Sequence, residues 1–142
     1  MKDSVLEKCL QETGSVLIRP TGTSMRPLLK EGHSAVLLEK CCGFPQKGDI
    51  ILYRRHGKEG ILVLHRVWRI EGKRLIVCGD HQWKEKEIVD PDQVLAVAKG
   101  FYRGSVYTDC SDKRYRIYVG LWNSNMFVRR CCFLVLKILG FD

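Results

Sequence analysis

Between Ser15 and Tyr102 the chain is cut by glycines and prolines into short apolar runs. The runs are Ser15–Arg19, Ala35–Glu39, Asp49–Arg54, Ile61–Ile70, Arg74–Cys78 and Val94–Tyr102. Runs this short and rich in valine, isoleucine and leucine fit strands better than helices. An isolated strand leaves its peptide groups unpaired, so each must find a neighbour, and a tight turn delivers an antiparallel one. Glu71-Gly72-Lys73 is such a turn, joining the longest run, Ile61–Ile70, to Arg74–Cys78. Gly100 interrupts the last run where a bulge would fit. The expectation is a mainly β fold built on an antiparallel coiled sheet. A short helix is expected over 1–14, a β-core over 15–109 and a C-terminal extension over 110–142.

With 142 residues and 45% apolar content, one domain with a modest core is expected. Seven cysteines is an odd number, and none are in Cys-x-x-Cys spacing. They read as reduced thiols of a cytoplasmic protein rather than a disulfide frame. His33, His56 and His81, taken with Cys41 and Cys42, show no ligand spacing, and neither a metal nor another cofactor is expected. The net charge of +8 suits an anionic surface or an acidic peptide. Nucleic acid is the weaker candidate, because the aromatic residues are scattered rather than interleaved with Lys and Arg.

Four short boxes carry possible chemistry. Gly22-Thr23-Ser24-Met25-Arg26-Pro27 puts a serine on a tight turn. Lys47-Gly48-Asp49-Ile50, Leu64-His65-Arg66-Val67 and Gly79-Asp80 follow. A serine hydroxyl attacks well only when a base accepts its proton. His65 shares a strand face with Ile61, Val63 and Val67, which disfavours the charged ring and leaves it able to take that proton. Asp80, after a strand and a glycine, is the candidate to bond the other imidazole nitrogen, with His81 beside it. Asp49 reads as a turn residue bonding local amides. Gly22 and Thr23 border the nucleophile, Met25 is core or groove wall, and the Ser24 amide is the oxyanion donor.

In this order the boxes resemble the S24/S26 serine peptidases, the group of type I signal peptidases and LexA-like repressors. The Gly-x-Ser-Met-x-Pro box corresponds to Gly22–Pro27, and the Gly-Asp boxes to Gly48-Asp49 and Gly79-Asp80. Leu-His-Arg-Val around His65 is similar to the endoplasmic-reticulum and archaeal branch with its Ser–His pair. Gly32-His33 stands where a Gly-Asp is usual, and His81 where an asparagine often follows. The resemblance covers roughly residues 15 to 100. It implies acyl transfer from an extended precursor or leader peptide to Ser24, with small residues beside the cut. A non-catalytic peptide-binding module on the same fold stays open.

Leu121 to Leu139 reads as one helix with a narrow polar stripe of Asn123, Arg130 and Lys137, widened by Arg129. Two placements are open for it: docking on the protein's own sheet or a partner, or peripheral contact with a membrane.

Overall fold

A computed structural model describes residues 3–57 and 60–140; Lys58, expected in the turn after His56, lies outside them, as do the side chains of the first four residues. Helix α1 (Asp3–Thr13) leads into strand β1 (Ser15–Ile18). Strands β2 (Ser34–Lys40), β3 (Ile50–Arg54), β4 (Leu62–Glu71), β5 (Arg74–Cys78), β6 (Glu87–Val89), β7 (Val94–Arg103) and β8 (Val106–Asp109) follow. Two helices close the chain, α2 (Lys113–Ser124) and α3 (Met126–Ile138). The architecture is mainly β, as the run of short strands predicts. All pairings are antiparallel, in the order β1-β2-β7-β3-β4-β5-β6, with β8 on β7.

Two strands exceed the expectation. β6 is three residues long and hidden in a charged stretch. β8 forms the return arm of the turn at Gly104. The interruption at Gly100 is real: Leu37 pairs with Gly100 and Leu38 with Ala98, a register shift that leaves Lys99 as the extra residue. A Cβ there would lie 2.1 Å from the Tyr107 hydroxyl, so a larger residue would have to displace the Tyr107 ring.

The sheet carries apolar side chains on both faces. One cluster, with Val36, Leu38, Ile50, Leu52 and Phe101, is covered by Leu6 and Leu10 of α1, by Met25, Leu28 and Leu29, and by Tyr115 and Val119 of α2. The other gathers Ile51, Tyr53, Val67, Leu75, Val77 and Val89. Alternation along β3 and β4 divides their residues between the clusters.

The single C-terminal helix is corrected to two. Asn125 takes extended angles (φ −166°, ψ 166°), and its Oδ1 accepts from the Val128 amide at 2.7 Å, ending one helix while capping the next. The heptad stripe is therefore broken. Asn123 is buried and donates to the Val67 carbonyl, and Arg129 is fully buried. Arg130 and Lys137 remain exposed. All seven cysteines are free thiols. No described helix is long and apolar enough to cross a membrane.

Candidate active site

Ser24 sits in the turn between β1 and β2, half-buried. The Arg26 amide bonds the Thr23 carbonyl at 3.1 Å and the Leu29 amide bonds the Met25 carbonyl at 2.9 Å, so the backbone winds tightly through Ser24. Gly22 has φ +83°, a left-handed conformation that glycine adopts without strain. Its N–H donates to Glu31 Oε2 at 3.2 Å. Thr23 is exposed. Met25 resolves both of its alternatives at once, since it is buried in the core and also lines the groove beside Ser24.

That groove has a volume of about 660 Å³. Leu6, Leu17, Pro20, Met25, Leu62 and Ser24 are among its walls. Among the described residues β1 pairs with β2 alone and forms one edge of the sheet, so the groove runs along an edge strand. A second cavity of about 540 Å³ lies between the sheet and the C-terminal helices, lined by Phe101, Tyr118, Trp122 and Leu136.

The Ser24 turn is seated on the turn after β5. The His81 amide bonds the Ser24 carbonyl at 2.8 Å. Gly79 packs so closely that a Cβ there would lie 2.4 Å from the Ser24 carbonyl oxygen and 3.0 Å from the Ser24 Cβ. β4 pairs with β5 through Val67–Val77 and Arg66–Cys78. Continued one residue, this register sets Gly79 across from His65. The missing Cβ of Gly79 would project on the His65 side of the sheet, where Ser24 packs. Directly opposed residues on one face hold their Cβ atoms about 4.5–5.5 Å apart. The absent side chain is what lets the Ser24 turn pack directly on Gly79.

His65 is 5% exposed. Burial pushes its pKa below the ordinary histidine value; Glu87 opposes this and Arg55 adds to it. Its Nδ1 lies 3.3 Å from the Tyr53 hydroxyl. Tyr53 is fully buried, and burial with the neighbouring Glu87 carboxylate raises its pKa, so the phenol keeps its proton. Burial, the largest single effect, works against the Glu87 carboxylate, but the hydrogen bond and charge of Arg55 together with a hydrogen bond from Tyr53 outweigh it and hold the pKa low. Arg55 grips Glu87 with two nitrogens, Nε at 3.0 Å and Nη2 closer. A line of polar groups therefore runs Arg55, Glu87, Tyr53, His65.

Asp80 does not join that line. Its carboxylate takes a bidentate pair from Arg66, at 2.7 and 2.8 Å, and a bond from the Tyr118 hydroxyl at 2.8 Å. The expected bond from Asp80 to His65 is corrected accordingly. Arg66 follows His65 on the strand, so its side chain leaves from the opposite face and draws Asp80 there. Both members of the pair are fully buried. Arg66 also donates to the Gly48 carbonyl and the Tyr115 hydroxyl. Asp49 bonds the Gln46 amide at 2.8 Å, the local turn role read from the sequence.

Arg129 completes the neighbourhood. From α3 it donates to the carbonyls of Gly79 and Gln82, at 3.0 and 2.9 Å, and to Trp122 and Asn123. Trp122 Nε1 bonds the Asp80 carbonyl at 2.8 Å. The turn under Ser24 is thus held from below by the C-terminal helices. Away from this region, His56, Asp90 and Asp92 bring ligand atoms within 4.8 Å of one another, with Asp90 engaged by Arg74 at 3.4 Å.

Comparison with protein-family models, with curated proteins and with solved structures finds no match.

Proposed function

We propose that the chain is a serine peptidase in which Ser24 is the nucleophile and His65 the general base. The observation that carries this reading is the seating of the Ser24 turn on Gly79, the residue that the β4–β5 register, continued by one, sets across from the buried His65, with Ser24 at the side of an apolar groove. The resemblance of the Gly22–Pro27, Leu64–Val67 and Gly79-Asp80 boxes to S24/S26 peptidases supports the same roles.

The substrate is an extended peptide, such as a leader or precursor segment, added to the free edge of β1 with apolar side chains in the groove. Ser24 Oγ attacks the carbonyl carbon while His65 Nε2 takes the hydroxyl proton. The Ser24 amide faces the oxyanion. The tetrahedral intermediate collapses, the peptide C–N bond breaks, and the imidazolium gives its proton to the leaving amine. Water then attacks the Ser24 ester by the same proton route and releases the acid. A positioned base is worth about 10²–10⁴-fold.

The orienting role belongs to Tyr53 and Glu87 rather than Asp80. Glu87, held as carboxylate, accepts from the Tyr53 hydroxyl; the Tyr53 oxygen then accepts from His65 Nδ1–H. This tautomer leaves the Nε2 lone pair for the Ser24 proton.

The test is labelling with a serine-reactive acylating probe, together with cleavage of a peptide library. Wild-type protein should become acylated at Ser24, and Ser24→Ala should lose both labelling and cleavage while keeping its fold. Equal labelling of the two proteins would remove Ser24 from the mechanism. Peptide retention without acylation or turnover would leave a binding groove in place of an enzyme.

A further inference from the structure

The outer side of the C-terminal helices takes no part in the peptidase reading. On α3, Arg129 turns inward, so the opposite side of the helix faces out. That side carries Phe127, Leu134 and Ile138, at positions i, i+7 and i+11, which are 74, 54 and 84% exposed. Leu121 and Ile117 of α2 are also exposed. From Lys113 to Gly140 there is no aspartate or glutamate, whereas Lys113, Arg114, Arg116, Arg130 and Lys137 are all exposed.

We propose that this face docks on an anionic lipid bilayer, with α3 lying in the headgroup plane. Its apolar ridge would enter the acyl boundary while Arg130 and Lys137, on one flank of the ridge, meet lipid phosphates. The helix is 13 residues long. At about 1.5 Å per residue it falls well short of the ~30 Å hydrocarbon core, so it lies on the surface rather than crossing. Charge selects this occupant over a second copy of the chain. Two such faces brought together would oppose cation to cation, with no carboxylate between Lys113 and Gly140 to compensate. A nucleic acid would satisfy the cations but would leave Phe127, Leu134 and Ile138 in water. An anionic bilayer satisfies both sets of groups. The inference does not depend on Ser24 being a nucleophile.

The experiment is sedimentation of the full chain with vesicles of phosphatidylcholine, with and without phosphatidylglycerol. Binding should require phosphatidylglycerol and weaken as salt rises. Phe127→Ser with Ile138→Ser should weaken it about tenfold or more. Arg130→Gln with Lys137→Gln should also weaken it and flatten the salt dependence. All four positions are exposed, and circular dichroism should show the variants folded. Absence of binding, equal binding to phosphatidylcholine alone, or unchanged binding by the apolar variant would overturn the proposal. So would a dimer in light scattering that the apolar variant abolishes, or retention by single-stranded RNA that displaces the vesicles.

Discussion

Gly79 is the position where one added methyl group should do most harm. Its Cβ would meet the Ser24 backbone, which cannot rotate away as a side chain can. Gly79→Ala should therefore push the nucleophile off its seat. A misplacement of about 1 Å can cost about 10²-fold in rate, and kcat for peptide cleavage should fall by that order with the fold retained. Full activity in this variant would mean that the Ser24–Gly79 contact does not position the nucleophile. Glu87 allows a second test, read on pH. In the proposed mechanism the neutral imidazole is the base, so activity should rise with pH through the His65 pKa, which burial holds below the ordinary histidine value. Glu87 raises that pKa against the effect of burial. Glu87→Gln should accordingly move the acid limb of the rate profile to lower pH while lowering the plateau about tenfold. An acid limb that stays in place would separate Glu87 from His65. The proposed roles of Ser24 and His65 come from the sequence, where their neighbours along the chain carry the resemblance. Those of Tyr53 and Glu87 do not, since they reach His65 only through the registers of β3 with β4 and β5 with β6. Asp80 was legible as a residue but not in its partner, because no one-dimensional pattern says which face of β4 a Gly-Asp turn will meet.

The strands were legible where apolar residues and turn signals coincide, and the two that escaped have physical excuses. β6 is three residues long after Lys84, Glu85 and Lys86, so its periodicity never develops. β8 has little pattern beyond the turn at Gly104. The C-terminal helices depart from the sequence pattern for a different reason. A basic residue in an apolar helix looks like a solvent-facing stripe, but Arg129 points inward, where backbone carbonyls satisfy it. Arg129→Met should destabilise the protein by about 2–3 kcal/mol, since hydrogen bonds to a charged group contribute about 1.5–3 kcal/mol and several carbonyls would lose their donor. Urea denaturation measures this directly. A change below about 0.5 kcal/mol would show that the brace between α3 and the Gly79–Gln82 turn is not needed for stability.

Across the whole molecule, the Arg66–Asp80 pair is the knot that joins the sheet to the helices. It links β4 to the turn after β5, and through Tyr115 and Tyr118 it reaches α2. Removing one partner of such a pair leaves an uncompensated buried charge and costs about 3–5 kcal/mol. Asp80→Asn should lower stability by that order, while Ser24 labelling of the folded fraction persists. Unaltered stability with abolished labelling would instead return Asp80 to the catalytic line. The brace from Arg129 also has a consequence in time. A ribosome makes Ser24, His65 and Gly79 before Arg129, whose guanidinium pins the Gly79 carbonyl from 50 residues further on. Contacts so distant along the chain form late, after the local hairpins. A nascent chain would thus carry Ser24, the proposed nucleophile, on an unpinned turn until α3 emerged, so that the proposed site would be assembled only after that helix is made.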